Sequence, residues 1–352
     1  MKFHVVSLPH TQTTKAFSSC AFTEKVRKFC NMMSALGHEV ILYAGEENEA
    51  TVTELVTVIS EEERVAFLNG EFYVNADFNP LLPTWQKFNG KVVEEIKKRA
   101  GEQDFVCLIG GTSHKPIADA LPAMMCVEFG IGYGGTFSPY RVFESYAWMH
   151  TVYGSSNPNP NALDGNWFDT VIPNYFEVED FPFQEEKEDY YLYIGRLTDR
   201  KGFQIAADVC ERLGKRLILA GPGEPPTYGE YVGVVGPEKR AELMGGARAV
   251  FVPTQYIEPF GSVAVEAMLC GTPIITTDWG AFTETNIYGV TGFRCRTFKE
   301  FLEAVGMVED LDKKQIRDIA VSRYSLETVG RMYETYFTRL LTLWGDGWYN
   351  TK

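Results

Sequence analysis

Glu258-Pro259-Phe260-Gly261-Ser262-Val263-Ala264-Val265-Glu266 sets two carboxylates eight residues apart, with Pro-Phe-Gly directly after the first. Proline is tolerated at the first position of a helix, where its missing N–H costs nothing, so a helix is expected from Pro259. The apolar run Val263, Ala264, Val265, Ala267, Met268 and Leu269 predicts that this helix is buried and stops at Gly271. Glu258 then stands at the helix mouth and Glu266 about two turns inside. Unpaired N–H groups and the positive end of the helix dipole favour an anion beside Glu258. Such a place can hold a phosphate while its carboxylates accept hydrogen bonds from sugar hydroxyls.

Upstream, Tyr190-Tyr191-Leu192-Tyr193-Ile194-Gly195-Arg196 reads as a buried strand ending in a guanidinium. Lys201-Gly202 follows, just before a helix from Phe203 to Leu213. A guanidinium fork and an ammonium at the C-terminal end of a strand suit a diphosphate. Strands alternate with helices along most of the chain. Val5–Leu8, Val40–Ala44, Leu55–Ile59, Phe105–Ile109 and Met124–Phe129 are strands of a first series. It includes a short helix capped by Ser60 and Glu63, a helix over Leu81–Arg99 and a helix opened by Ser138-Pro139. The acidic, aromatic segment Glu177–Glu188 reads as a linker. A second series follows with strands Tyr191–Ile194, Arg216–Ala220, Val232–Val235, Ala249–Pro253 and Ile274–Thr277. Two such series imply two doubly wound α/β domains facing each other, with ligands in the cleft between them.

The Glu258/Glu266 pair, with Gly195-Arg196 and Lys201-Gly202 at their distance upstream, resembles the donor site of retaining glycosyltransferases of family 4, which have the GT-B fold. The resemblance is strongest from Tyr190 to Phe301. It implies an N-terminal acceptor-binding Rossmann-like domain over 1–176 and a C-terminal nucleotide-sugar donor-binding domain over 177–332. It also implies a last helix, about 333–352, crossing back to the first domain. On this reading Arg196, Lys201 and Glu258 carry the chemistry. Glu266 holds ribose hydroxyls and Glu258 a hydroxyl of the donor sugar. Gly195 and the backbone of Phe260, Gly261, Ser262 and Val263 meet sugar and phosphates. Gly221, in Gly221-Pro222-Gly223-Glu224, flanks the base, and Val234 and Val235 contact it, unless both segments are ordinary turns. The partners implied are a nucleotide-diphosphate sugar and a saccharide or glycan hydroxyl. The enzyme expected is a retaining hexosyltransferase that needs neither metal nor cofactor. The alternatives are a sugar-nucleotide epimerase or phosphorylase of the same fold, or a non-catalytic nucleotide-sugar binder.

Bulk properties are consistent with this. The chain has 352 residues, enough for two domains, and its 45% apolar and 23% charged composition is that of a soluble globular protein. A net charge of −14 argues against nucleic acid or an anionic membrane surface as partner. The seven cysteines form no CxxC pair and suit buried free thiols in a reducing compartment. With Met1-Lys2-Phe3-His4 running straight into a strand and no long apolar run, cytoplasmic residence is expected.

Other motifs are weaker. A glycosidase acid–nucleophile pair sits roughly 5–9.5 Å apart, whereas eight helical residues rise about 12 Å, so Glu258 and Glu266 suit two ends of one ligand better. Gly130-Ile131-Gly132-Tyr133-Gly134-Gly135 lacks the acidic residue of a dinucleotide fingerprint and reads as a flexible acceptor-side loop. Asp310-Leu311-Asp312 lies beside Lys313 and Lys314 and reads as a solvated helical face. His10, Thr11, His114, Glu128 and Tyr133 are the acceptor-side candidates, because they follow strands of the first series. Two departures from the family leave the acceptor open. Pro9-His10-Thr11-Gln12-Thr13-Thr14 replaces a common Gly-Gly loop, and Glu128-Phe129-Gly130 stands where many relatives place a histidine.

Overall fold

The computed structural model describes residues 1–157, 159, 161 and 163–344. The end of the expected C-terminal helical stretch, Gly345 to Trp348, lies outside them. The chain folds into two compact units. The first holds Met1–Glu144, Gly154–Tyr175 and Val329 onward; the second holds Ser145–Tyr153 and Phe176–Thr328.

Among the described residues the first unit contains one seven-stranded sheet. Its strands are β1 (Lys2–Val6), β2 (Glu39–Ala44), β3 (Glu54–Thr57), β4 (Phe105–Leu108), β5 (Met125–Ile131), β6 (Tyr140–Phe143) and β7 (Thr170–Val171), in the order β3-β2-β1-β4-β5-β6-β7. Every pairing is parallel. Strands such as Phe105–Leu108 are buried along their whole length, as a parallel sheet covered on both faces requires. The expected capping box forms: Ser60 Oγ accepts from Glu63 N at 3.2 Å and Glu63 Oε2 accepts from Ser60 N at 2.9 Å. The helix Leu326–Leu341 sends Tyr333 and Phe337 into this unit, edge-on to Phe29 at 5.2 Å and Phe3 at 4.7 Å.

The second unit contains β8 (Tyr191–Ile194), β9 (Leu217–Ala220), β10 (Glu230–Tyr231), β11 (Val250–Val252), β12 (Ile274–Thr277) and β13 (Gly292–Cys295). They are all parallel, in the order β10-β9-β8-β11-β12-β13 among the described residues. This is the doubly wound order whose direction reverses between its first and fourth strands. The reversal lies between β8 and β11 and opens a crevice at their C-terminal ends. All seven cysteines are buried and unpaired.

Three local expectations are corrected. No helix opens at Ser138-Pro139. Ser138 Oγ bonds Cys126 O at 2.5 Å and accepts from Tyr140 N at 3.0 Å, which lays the chain beside β5 as β6 instead. The strand expected at Val232–Val235 is only Glu230–Tyr231, because β10 is an edge strand and the chain then leaves the sheet with Val234 73% exposed. The helix expected from Pro259 begins at Ser262, because Gly261 takes a left-handed conformation (φ 81°) that a helix cannot continue through. Asp312, in the acidic run, is a helix cap, its carboxylate accepting from Gln315 N at 2.9 Å.

Candidate functional site

The switch point of the second unit gathers the residues that carry the charge. β8 ends in Gly195, and Arg196 follows it, exposed and without an ion pair among the described residues. Tyr193 and the backbone hold this turn: the Tyr193 hydroxyl donates to Arg196 O at 2.8 Å. Gly195 N donates to Ala220 O at 2.9 Å, and Leu197 N to Pro222 O at 2.8 Å, so the turns after β8 and β9 run side by side. At Gly221 (φ 133°) a Cβ would lie 2.0 Å from Gly195 O, so no side chain fits where these turns meet. Gly221 in turn donates its N–H to Gly233 O at 2.8 Å. That bond fixes the segment leading to exposed Val234 and half-buried Val235.

A 3-10 turn, Asp199–Lys201, then sets Lys201 toward the end of β11. Its Nζ donates to Glu258 Oε2 at 2.8 Å. Burial lowers the Lys201 pKa, but the charge of Glu258 and its hydrogen bond outweigh burial and hold the ammonium above its ordinary value. Tyr256 packs under both cations, its ring centroid 4.9 Å from Lys201 Nζ and 4.9 Å from Arg200 Cζ. Glu258 is clamped from behind. Its carbonyl accepts from Ala281 N at 3.0 Å, and a Cβ on Gly280 would meet Glu258 N at 2.7 Å.

The eight-residue helix Ser262–Leu269 starts four residues later, with Gly261 as N-cap and no side-chain cap among the described residues. Phe260 is buried and anchors the approach, stacked on Phe176 at 6.3 Å and edge-on to Tyr324 at 5.8 Å. Ser262 and Val263 form the first turn. Glu266 lies one turn further in, only 9% exposed, where it meets Arg240 of the helix Pro237–Gly246 as an ion pair. Arg240 and Tyr256 were not read from the sequence. Arg240 lies in a charged stretch, Glu238-Lys239-Arg240, that reads as a solvated face. Tyr256 is two residues before Glu258, beyond the expected strand Ala249–Pro253.

In the first unit the acceptor-side candidates fall into two groups. His10 and His114 do not reach a surface: they are 1% and 0% exposed, with ring centroids 6.5 and 5.6 Å from Trp85. Burial, with Arg64 adding to it, lowers His10 to about 4. Burial lowers His114 to about 3. Thr11 is equally buried and bonds Thr23 across 2.7 Å. Glu128, also 0% exposed, and half-buried Tyr133 form the second group, with the Tyr133 hydroxyl 3.5 Å from Glu128 Oε1. Glu128 Oε2 accepts from Phe137 N and Ser138 N, both at 2.8 Å. Burial pushes the Glu128 carboxyl up to about 7, against those hydrogen bonds. No described helix is long and apolar enough to cross a membrane.

The family profile of the glycosyl transferases group 1 matches residues 176–317, which cover the second unit's Arg196, Lys201, Glu258 and Glu266. An uncharacterized glycosyltransferase of Methanocaldococcus jannaschii is 31% identical over 162 residues, 41% of this chain. The chain spans 40% of that relative's length. Among solved structures, AviGT4, a glycosyltransferase involved in avilamycin A biosynthesis, superposes with a TM-score of 0.69 at 21% identity, covering 97% of this chain and 98% of its own. The Anabaena HepE protein, solved with UDP and glucose, superposes with a TM-score of 0.64 at 14% identity, covering 96% of this chain and 100% of its own. Residues 176–317 are thus similar to the glycosyl transferases group 1, and the two parallel α/β sheets have the GT-B fold of these solved glycosyltransferases.

Proposed function

We propose that the chain is a retaining glycosyltransferase that moves a hexose-type sugar from a nucleotide-diphosphate sugar to a hydroxyl of a saccharide or glycan, without a metal ion. The observation that carries this reading is the Lys201–Glu258 pair at the switch point of the second unit, beside exposed Arg196, which has no ion pair among the described residues, and the start of the helix Ser262–Leu269, which has no side-chain cap. As the glycosidic bond breaks, negative charge grows on the diphosphate. Arg196, Lys201 and the helix N-terminus oppose that charge, the work a divalent ion does elsewhere. Glu258, within hydrogen-bond reach of Lys201, accepts from a hydroxyl of the donor sugar. Gly195 and the backbone N–H groups from Phe260 to Val263 meet sugar and phosphates. Gly221, Val234 and Val235 flank the base. The acceptor hydroxyl attacks from the face the diphosphate leaves, and a departing phosphate oxygen takes its proton, so no enzyme nucleophile is required.

The acceptor falls to the first unit, where Glu128 and Tyr133 offer a carboxyl and an aromatic ring. Such groups suit a sugar hydroxyl better than an anionic lipid head. Cytoplasmic residence fits a nucleotide-sugar donor. The test is a thermal-shift screen of UDP-, GDP-, ADP- and TDP-sugars, followed by product analysis with and without acceptor. Stabilisation by one nucleotide sugar and transfer with retained anomeric configuration supports the reading. Epimerised donor, phosphorolysis, or binding without any turnover rejects it.

A further inference from the structure

Glu266 and Arg240 meet between two helices of the second unit, and the contact is incomplete. The guanidinium lies against Glu266 Oε2 as an ion pair. Arg240 Nε is buried without a hydrogen bond, and Glu266 Oε2 meets that guanidinium alone among the described residues. The Glu266 side chain is 11% exposed and that of Arg240 34%. A buried donor left unmade beside a carboxylate oxygen with a lone pair to spare is costly, and native proteins keep few of them.

The chemistry of a group that completes both is narrow. A phosphate would accept from Arg240 but be repelled by Glu266. A base carbonyl would satisfy Arg240 and leave the carboxylate bare. A hydroxyl accepts through its oxygen and donates through its proton, so one sugar hydroxyl serves both atoms. Arg240 also stands in the first turns of the helix Pro237–Gly246, entered directly from Val234 and Val235.

We propose that Arg240 is a nucleotide-binding residue: its guanidinium donates to the ribose hydroxyl whose proton Glu266 accepts, and the pair together selects ribonucleotides over deoxyribonucleotides. This deepens the nucleotide-sugar reading and rests on it.

The test is calorimetric titration of the full chain with UDP, GDP and ADP. The 2′-deoxy and 3′-deoxy forms of whichever binds are titrated next, on wild type, Arg240→Met and Arg240→Lys. The wild type is expected to bind the ribonucleotide about 10-fold or more tightly than at least one deoxy form. Arg240→Met, which keeps an apolar stem, is expected to shrink that ratio to about threefold or less, and Arg240→Lys to an intermediate value. A merely structural arginine would lower all affinities by one factor and leave the ratio alone. Thermal melts establish that each variant is folded, and if Arg240→Met is not, Arg240→Lys decides by the same ratio. An unchanged ratio in a folded variant, or no ribose preference in the wild type, overturns the inference alone. Failure of the wild type to bind any nucleoside diphosphate overturns the reading beneath it as well.

Discussion

Lys201 Nζ donates to Glu258 Oε2 at 2.8 Å, joining the turn after β8 to the loop after β11 across 57 residues of sequence. Each side chain is mostly shielded from water, 23% and 12% exposed. The protein's own carboxylate therefore holds the ammonium in place, which on the proposed reading preorganises it for a diphosphate.

Replacing Lys201 with Ala is expected to lower turnover by roughly two to three orders of magnitude, the loss of about 3–4 kcal/mol that follows removal of one transition-state donor. The check is steady-state kinetics on the purified, folded variant with donor saturating. Turnover close to wild type would remove Lys201 from the chemistry.

The two glutamates are expected to fail differently. Glu266→Ala should weaken binding of the plain nucleoside diphosphate. Glu258→Ala should leave that binding within about threefold and damage sugar transfer instead, as a lost contact to the sugar alone does. Calorimetry with nucleoside diphosphate on both variants distinguishes them, and equal losses contradict the division of roles.

Much of this arrangement was legible in the sequence, and what was not has physical reasons. Gly195-Arg196, Lys201-Gly202 and the two glutamates are local signals, each tied to a strand end or helix start that the apolar pattern marks. The partners of those residues come from elsewhere. Arg240 meets Glu266 from another helix, and nothing in Glu238-Lys239-Arg240 distinguishes a side chain turned inward from one in water. The start at Ser262 rather than Pro259 depends on the backbone of Gly261, squeezed against Phe282, where a Cβ would lie 2.5 Å from the ring. Ser138-Pro139 misled because serine before proline is also a helix opening. Only the bond to Cys126 O shows that it serves a strand. The histidines gave the opposite error: a position after a strand suggested access, but the aromatic packing around Trp85 buries them.

Activity is expected to persist in excess EDTA, because on the proposed reading Arg196, Lys201 and the helix start supply the positive charge the leaving group needs. Product formation with and without chelator measures this. Complete loss, reversed by magnesium, would show that a metal shares that work.

Glu128→Gln should slow transfer to a saccharide acceptor more than it slows donor hydrolysis. The amide keeps the size of the side chain but loses the carboxylate that faces the Tyr133 hydroxyl. The two rates measured on one preparation decide it. An equal fall in both assigns Glu128 to holding Phe137 N and Ser138 N alone.

Acid should destabilise the first unit through its buried imidazoles. His10 and His114 are lowered to about 4 and about 3, both by burial first, so below the unfolded value the unfolded chain binds protons that the native one refuses. Their stabilisation is complete above about pH 6.5 and is lost as pH falls toward the folded values, by up to about 1.4 kcal/mol per pH unit per ring. Glu128, raised to about 7, works in the opposite direction and offsets part of the loss. Melting temperatures at pH 7 and pH 5 should therefore differ less for His114→Gln than for wild type. An identical pH dependence would show that His114 is not the group that resists protonation.

The touching glycines at the ends of β8 and β9 bear on protein engineering. With Gly221 packed so close to Gly195 O that it admits no side chain, a change in one backbone is transmitted to the other. Grafting a foreign segment at Gly221–Val235 while keeping Gly195-Arg196 would tilt Arg196, which the proposed function assigns to the phosphates. The two turns are therefore one cassette, and altered nucleotide preference is best sought by exchanging both in a single swap.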